Sequence, residues 1–254
     1  MQNNLNPGFT VAVLADIHGN LAAFEAALAD LVKQEYDVLV LAGDMLMIGP
    51  QPSEVLELVR DLRVPTIYGN TERDVVDAGK EPSIERWTAD QIGKEGIEYL
   101  DNLPFAHFET PDGAVPGTDL LIVHATPLSV FNTLILEAHP LRPQLHVTPE
   151  AEAEMMVGDT QADLIVYGHI HYPSSGQVKG QRLASIGAVG LPFDGDRRAA
   201  YALVRWDGSH WQITHHRVEY EFERTIDALK RSGQPDSSRY IEIIRQARWI
   251  PDPA

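Results

Sequence analysis

The sequence predicts an α/β fold with mixed sheets flanked by helices. Three observations carry that prediction. Five short, continuously apolar runs of strand length lie between residues 9 and 167, amphipathic helical segments separate the first of them, and strand pairs around tight turns follow residue 168. With 254 residues against about 150 per domain, and no linker, repeat or low-complexity tract, we read residues 1–254 as one domain closed by helices at about 221–249. Hydrophobic residues make up 44% and charged residues 22%, so the chain belongs with globular proteins rather than disordered, fibrous or coiled-coil ones.

Residues 9–15 form an uninterrupted apolar strand, after which Asn20 can cap a helix carrying Leu21, Phe24, Leu28, Leu31 and Val32 on one face. A second buried strand covers 37–42. Ser53 can cap a helix carrying Val55, Leu58, Val59 and Leu62, and a third strand covers 64–68. Strands alternating with helices imply βαβ units and parallel pairing. Residues 71–100 are mixed and charged and read as short helices, clearest at 95–100. Residues 104–109 and 119–123 read as a hairpin across the turn-rich 111–117, followed by a proline-bearing stretch, a helix over 149–157 and a fifth buried strand at 163–167. Beyond it the expected pairing is antiparallel: 177–183 turns around Lys179-Gly180, and 199–205 pairs with 211–218 around Asp207-Gly208. Helices follow at 221–231 and 237–249. The last has Tyr240, Ile241, Ile244 and Ala247 near one face, expected to dock on the domain itself.

Twenty Lys and Arg against 37 Asp and Glu leave a net charge of −17, which argues against gripping nucleic acid or an anionic membrane through bulk surface charge. The absence of cysteine removes disulfides, thiolate metal sites and thiol nucleophiles, and leaves His, Asp, Glu and Asn as metal ligands. No basic segment precedes an apolar one at the N-terminus, and no apolar run approaches the 18 or so residues of a membrane span. The cytoplasm is the expected compartment.

Five polar punctuation marks follow the five apolar strands: Asp16-Ile17-His18, Gly43-Asp44, Gly69-Asn70, His124, and Gly168-His169-Ile170-His171. In open α/β sheets the carboxyl ends of the strands border the ligand crevice, so these residues are expected to converge. Two Asp, four His and one Asn suit Mn, Fe, Zn, Co or Ni better than an all-oxygen calcium cage. Seven donors exceed the needs of one ion, and a bridging carboxylate between two cations about 3.5–4 Å apart suits displacement at phosphorus. Taken singly, each mark is also an ordinary turn, helix cap or core histidine.

In order and approximate spacing these motifs, with Gly49-Pro50 after Asp44, resemble those of the calcineurin-like metallophosphoesterases. The segment Ile186-Gly187-Ala188-Val189-Gly190 through Asp194-Gly195-Asp196-Arg197 is similar to one in the small prokaryotic phosphodiesterase branch, and the resemblance spans roughly residues 9–218. It implies a four-layer αββα sandwich of two mixed sheets, a fold that can also be filed as α+β. It implies Asp16, His18 and His171 on a first metal, Asn70, His124 and His169 on a second, and Asp44 bridging. Asp44, Asn70 and His124 would be the metal-linked catalytic residues, and a hydroxide between two divalent ions, manganese foremost, would attack a phosphoester in line.

The chain departs from the family pattern where many relatives read Gly-Asn-His-Asp: here Gly69-Asn70-Thr71-Glu72-Arg73 stands. Thr71 is no acid, which leaves the general acid unassigned, with Glu72 and Arg73 as substitutes, and favours substrates with good leaving groups. Ser185-Ile186-Gly187-Ala188 replaces Asn-Pro-Gly-Ser at the pocket rim. Arg73 and Arg197 are candidate contacts for a small phosphoester substrate, a phosphodiester before a monoester. The alternatives are a nucleotide or dinucleoside polyphosphate hydrolase, a phosphoprotein phosphatase, or a non-enzymatic metal-binding scaffold on the same fold. Specificity is assigned to residues 71–100 and 128–160. His107, His139, His146, His210, His215 and His216 receive no role, and the oligomeric state stays open.

Overall fold

The computed structural model describes residues 7–111 and 117–251. In chain order the elements are β1 (Thr10–Leu14), α1 (Leu21–Leu31), β2 (Val38–Ala42), α2 (Pro52–Leu62), β3 (Thr66–Ile67), α3 (Asn70–Val76), α4 (Ile84–Asp101), β4 (Ala106–Glu109) and β5 (Leu120–Val123). There follow α5 (Glu150–Val157), β6 (Leu164–Tyr167), β7 (Pro173–Val178), β8 (Gln181–Ile186), β9 (Ala199–Trp206), β10 (Trp211–Val218), α6 (Phe222–Ser232) and α7 (Ser237–Gln246). Two mixed five-stranded sheets result, ordered β10-β9-β1-β2-β3 and β4-β5-β6-β8-β7.

The continuous apolar runs are strands buried on both faces, as expected of parallel pairing. Val11, Val13 and Ala15 of the β1 run pack with Leu120, Ile122, Leu164 and Val166 of the second sheet, while Ala12 and Leu14 pack with Phe24, Leu31, Val55 and Val59 of α1 and α2. On the outer face of the second sheet Leu121, Val123, Ile165 and Tyr167 meet Ala153 and Val157 of α5 and the loop residues Leu134 and Ile135. Beside these layers, Leu191 and Phe193 pack with Ile226 and Leu229 of α6 and Tyr240, Ile243 and Ile244 of α7, so the apolar side of the last helix is docked on its own chain.

Several local expectations change. Asn20 caps α1, accepting from the Ala23 N–H, but the helix stops at Leu31 and Val32 is 84% exposed rather than part of the buried face. Gln51 takes the N-cap position of α2 with Pro52 in its first turn. Ser53 lies inside the helix, and its hydroxyl donates to the Gln91 carbonyl instead of capping. The charged 71–100 segment holds α3 and α4, and α4 is broken at Gly93, whose φ of 64° no helix accommodates. The third strand pairs over two residues only, because the chain leaves the sheet edge for Asn70. The β4 and β5 strands pair antiparallel, while most of their turn, residues 112–116, lies outside the described residues. The half beyond residue 168 is not wholly antiparallel: β7–β8 and β9–β10 are hairpins, but β8 pairs parallel with β6 and β9 crosses to β1 in the other sheet. No helix among the described residues is long and apolar enough to cross a membrane.

Candidate metal centre

All seven predicted donors stand just beyond the carboxyl ends of parallel-paired strands: Asp16 and His18 after β1, Asp44 after β2, Asn70 after β3, His124 after β5, His169 and His171 after β6. The loops are zipped together. The N–H groups of Asp16, His18 and Gly19 donate to the carbonyls of Gly43, Asp44 and Met45, and those of Val189 and Gly190 donate to Ala15 and Asp16. The His169 N–H bridges the two sheets, donating to the Asp16 carboxylate at 3.0 and 3.2 Å. Five of the ten non-glycine residues with positive φ among the described residues are predicted donors, Asp16, His18, Asp44, His169 and His171. Backbone strain of this kind persists only where the surroundings over-determine it, and here it aims side chains into one crevice.

Two groups of donor atoms result, each within 4.8 Å: Asp16, His18, Asp44 and His171, and Asp44, His124 and His169. Asn70 joins the second group, with Oδ1 3.1 Å from His124 Nε2 and 2.9 Å from His169 Nδ1. Three imidazoles have Nδ1 against backbone carbonyls: His18 on Met47 at 3.0 Å, His124 on Ala42 at 3.0 Å and His171 on Leu191 at 2.6 Å. Donation there leaves each Nε2 a bare lone pair. The Nε2 atoms of His18 and His171 then stand 3.2 Å apart, an arrangement that repels unless a cation lies between them. Burial above all holds His18 and His171 below the ordinary imidazole range and His169 at about 4, so the rings are neutral, as ligands must be. Burial and then the charge of Asp44 push the Asp16 carboxyl up. Two buried carboxylates facing unprotonated nitrogens lack countercharge, and divalent cations fit that need.

Gly49 shows how tightly the loops approach. A Cβ there would lie 1.9 Å from the His18 carbonyl oxygen and 2.5 Å from the Gly19 carbonyl carbon, backbone atoms that cannot step aside. Gly49→Ala is expected to destabilise the chain by about 1–3 kcal/mol and to reduce metal uptake through displaced His18. Denaturant unfolding and metal analysis check both, and unchanged values in each would refute the packing argument.

The predicted substrate contacts Arg73 and Arg197 both pack on aromatic rings. The Arg73 guanidinium sits over the Tyr68 ring at 5.3 Å and bonds Asp101 at 3.3 Å on α4, and Arg197 sits over the Phe222 ring at 4.2 Å. Glu72 is turned to the backbone. Buried at 1% exposure, its carboxylate accepts the N–H groups of Asp44 at 2.7 Å, Met45 at 2.8 Å and Gly69 at 2.8 Å. Burial, then Asp44, pushes it up to about 7 against the pull of those three donors. The Gly69 to Glu72 spacing, half of a capping box, was a readable signal of this role. Thr71 is buried, its N–H donates to Asp44 Oδ1 at 3.0 Å, and its hydroxyl has no partner. From the 128–160 segment Thr133 reaches His169 Nε2 at 3.2 Å, and Arg142 lies over Phe193, which stacks on His171; no local pattern marked either residue. Of the histidines left without a role, His107 meets Glu109, His210 meets Asp163 and His216 stacks on Tyr201.

Two mixed sheets whose strand ends converge on buried carboxylates and imidazoles, grouped around a shared aspartate, make an α/β protein with a residue cluster that could hold divalent metal ions. The chain belongs to the calcineurin-like phosphoesterase superfamily, whose domain matches residues 9–209. It is 27% identical over 253 residues to an uncharacterized protein, MJ0912, of Methanocaldococcus jannaschii, covering 89% of this chain and 94% of that one. Its fold is similar to that of a metallophosphoesterase from Sphaerobacter thermophilus, with a TM-score of 0.70, 24% identity, and 94% and 99% of the two chains covered. It is equally similar to the hypothetical protein PH1004 from Pyrococcus horikoshii, with a TM-score of 0.72, 22% identity, and 93% and 97% covered.

Proposed function

We propose that the chain is a phosphoester hydrolase dependent on two divalent cations, manganese foremost, and that it prefers phosphodiesters to monoesters. The observation that carries this reading is the position of Asp44, which belongs to both donor groups: Oδ2 is 3.6 Å from His18 Nε2 and Oδ1 is 3.3 Å from His124 Nε2. In this reading Asp16, His18 and His171 hold one cation, Asn70, His124 and His169 hold the other, and Asp44 serves both. When bound, the ions polarise a phosphoryl oxygen and lower the pKa of water to about 7. The carbonyls of Met47, Ala42 and Leu191 keep three rings in the ligating tautomer, and Thr133 orients the fourth.

The diester preference comes from what surrounds Asn70. Neither the Thr71 hydroxyl nor Glu72, spent on three backbone donors, offers a proton to a departing alkoxide. Losing general-acid help slows poor leaving groups by about 10²–10⁴-fold. Chelated protein is expected to be inactive. Reloaded with Mn, Zn or Mg, it is expected to cleave an aryl phosphodiester faster than the matching monoester. Faster turnover of alkyl monoesters would reject the preference, and no cleavage with any metal would favour a scaffold role.

A further inference from the structure

A buried cation without a counter-anion is costly, and one beside a metal centre calls for a ligand. Arg142, half-buried, has two guanidinium nitrogens in that position. Its backbone is pinned in a turn, the N–H donating to the His139 carbonyl at 2.9 Å and the carbonyl accepting from Leu145 at 2.9 Å. The guanidinium lies over the Phe193 ring, 4.8 Å from its centroid, and Phe193 is stacked on His171 at 4.2 Å and 9°. Its Nε and Nη1 are buried and have no hydrogen-bond partner, and it forms no ion pair among the described residues. Through Phe193, which stacks on His171, it adjoins the donor cluster. By contrast Arg73, Arg182, Arg198 and Arg217 all have carboxylate partners.

We propose that Arg142, which lies over the Phe193 ring, is the anion-binding residue of this centre and presents its guanidinium to phosphoryl oxygens of the substrate. The assignment rests on the phosphoester reading above and adds a substrate contact to the candidates Arg73 and Arg197. A guanidinium suits this task because its donors lie in one plane with fixed directions, matching phosphoryl oxygens. The gripped group is the reacting phosphoryl or a neighbouring phosphate of the same substrate, and both present the same chemistry.

The test is calorimetric titration of inorganic phosphate and of pyrophosphate into manganese-loaded wild type, Arg142→Ala, Arg142→Met and Arg142→Lys, with metal content measured on each. Charge-assisted hydrogen bonds contribute about 1.5–3 kcal/mol, so a roughly 10–100-fold loss of affinity is expected for Ala and Met, with less for Lys and metal content unchanged. Methionine keeps an apolar contact on Phe193, so a loss shared by Ala and Met reports the missing charge rather than a collapsed loop. Weakened phosphate binding assigns Arg142 to the reacting group; weakened pyrophosphate binding alone assigns it to a neighbouring phosphate. Affinities within twofold of wild type for both probes, or no binding by wild type, would overturn the assignment. Weakened binding in a wild-type background that cleaves no ester would overturn the hydrolase reading and leave Arg142 as an anion site.

Discussion

Asp44→Asn is expected to lower hydrolysis by about 10³-fold, corresponding to about 4 kcal/mol of lost transition-state stabilisation, while the chain stays folded. The asparagine is nearly isosteric and its amide oxygen can still accept the Thr71 N–H that Oδ1 now receives at 3.0 Å. What disappears is the negative charge and the second carboxylate oxygen, and with them the ability to face His18 and His124 together. Metal content is expected to fall below two ions per chain. Metal analysis, hydrolysis rates and denaturant unfolding of the chelated variant separate these effects. Full activity and metal content in Asp44→Asn would refute the shared-ligand role.

Glu72→Ala is expected to give the largest loss of stability. Its carboxylate is the acceptor for three buried N–H groups on the loops after β2 and β3, including that of Asp44 itself. Each donor left unsatisfied costs about 1–3 kcal/mol, so a loss of about 3 kcal/mol or more is expected, or a fall of roughly 6–12 °C in Tm. Glu72→Gln is expected to be intermediate. Its oxygen can replace the one shared by Asp44 and Gly69, but its amide then points a donor at the Met45 N–H. Metal affinity should fall with stability, because the same clamp fixes the Asp44 backbone in its left-handed conformation. A Glu72→Ala protein within about 1 kcal/mol of wild type by denaturant unfolding would show the clamp to be dispensable.

The donor set was legible because each member directly follows an apolar strand and such strands run parallel. Strands buried on both faces show as unbroken runs, as in Val11 to Leu14, and the chain must turn polar where it leaves the sheet. The backbone clamp made by Glu72 was not legible, because a glutamate beside Asn70 carries the same letter whether it faces substrate or three backbone amides. The surroundings of Arg73 and Arg197 were not legible for a similar reason: proximity in sequence to Asn70 and Asp196 says nothing about which way a long side chain turns, and the two guanidinium groups lie over the Tyr68 and Phe222 rings.

By itself the sequence determined the α/β class, the order of the elements, the hairpins at Lys179-Gly180 and Asp207-Gly208, and the identity of the convergent residues, because all of these follow from local periodicity and turn chemistry. Only the tertiary structure decided that β8 lies beside β6 while β9 crosses to β1, that Asn20 ties the β1 loop to Gly190, Tyr220 and Thr225, and that Arg142 stands over Phe193. Those arrangements are contacts between residues tens to hundreds of positions apart. Burial and hydrogen bonding in the packed chain select them, and no local pattern specifies them.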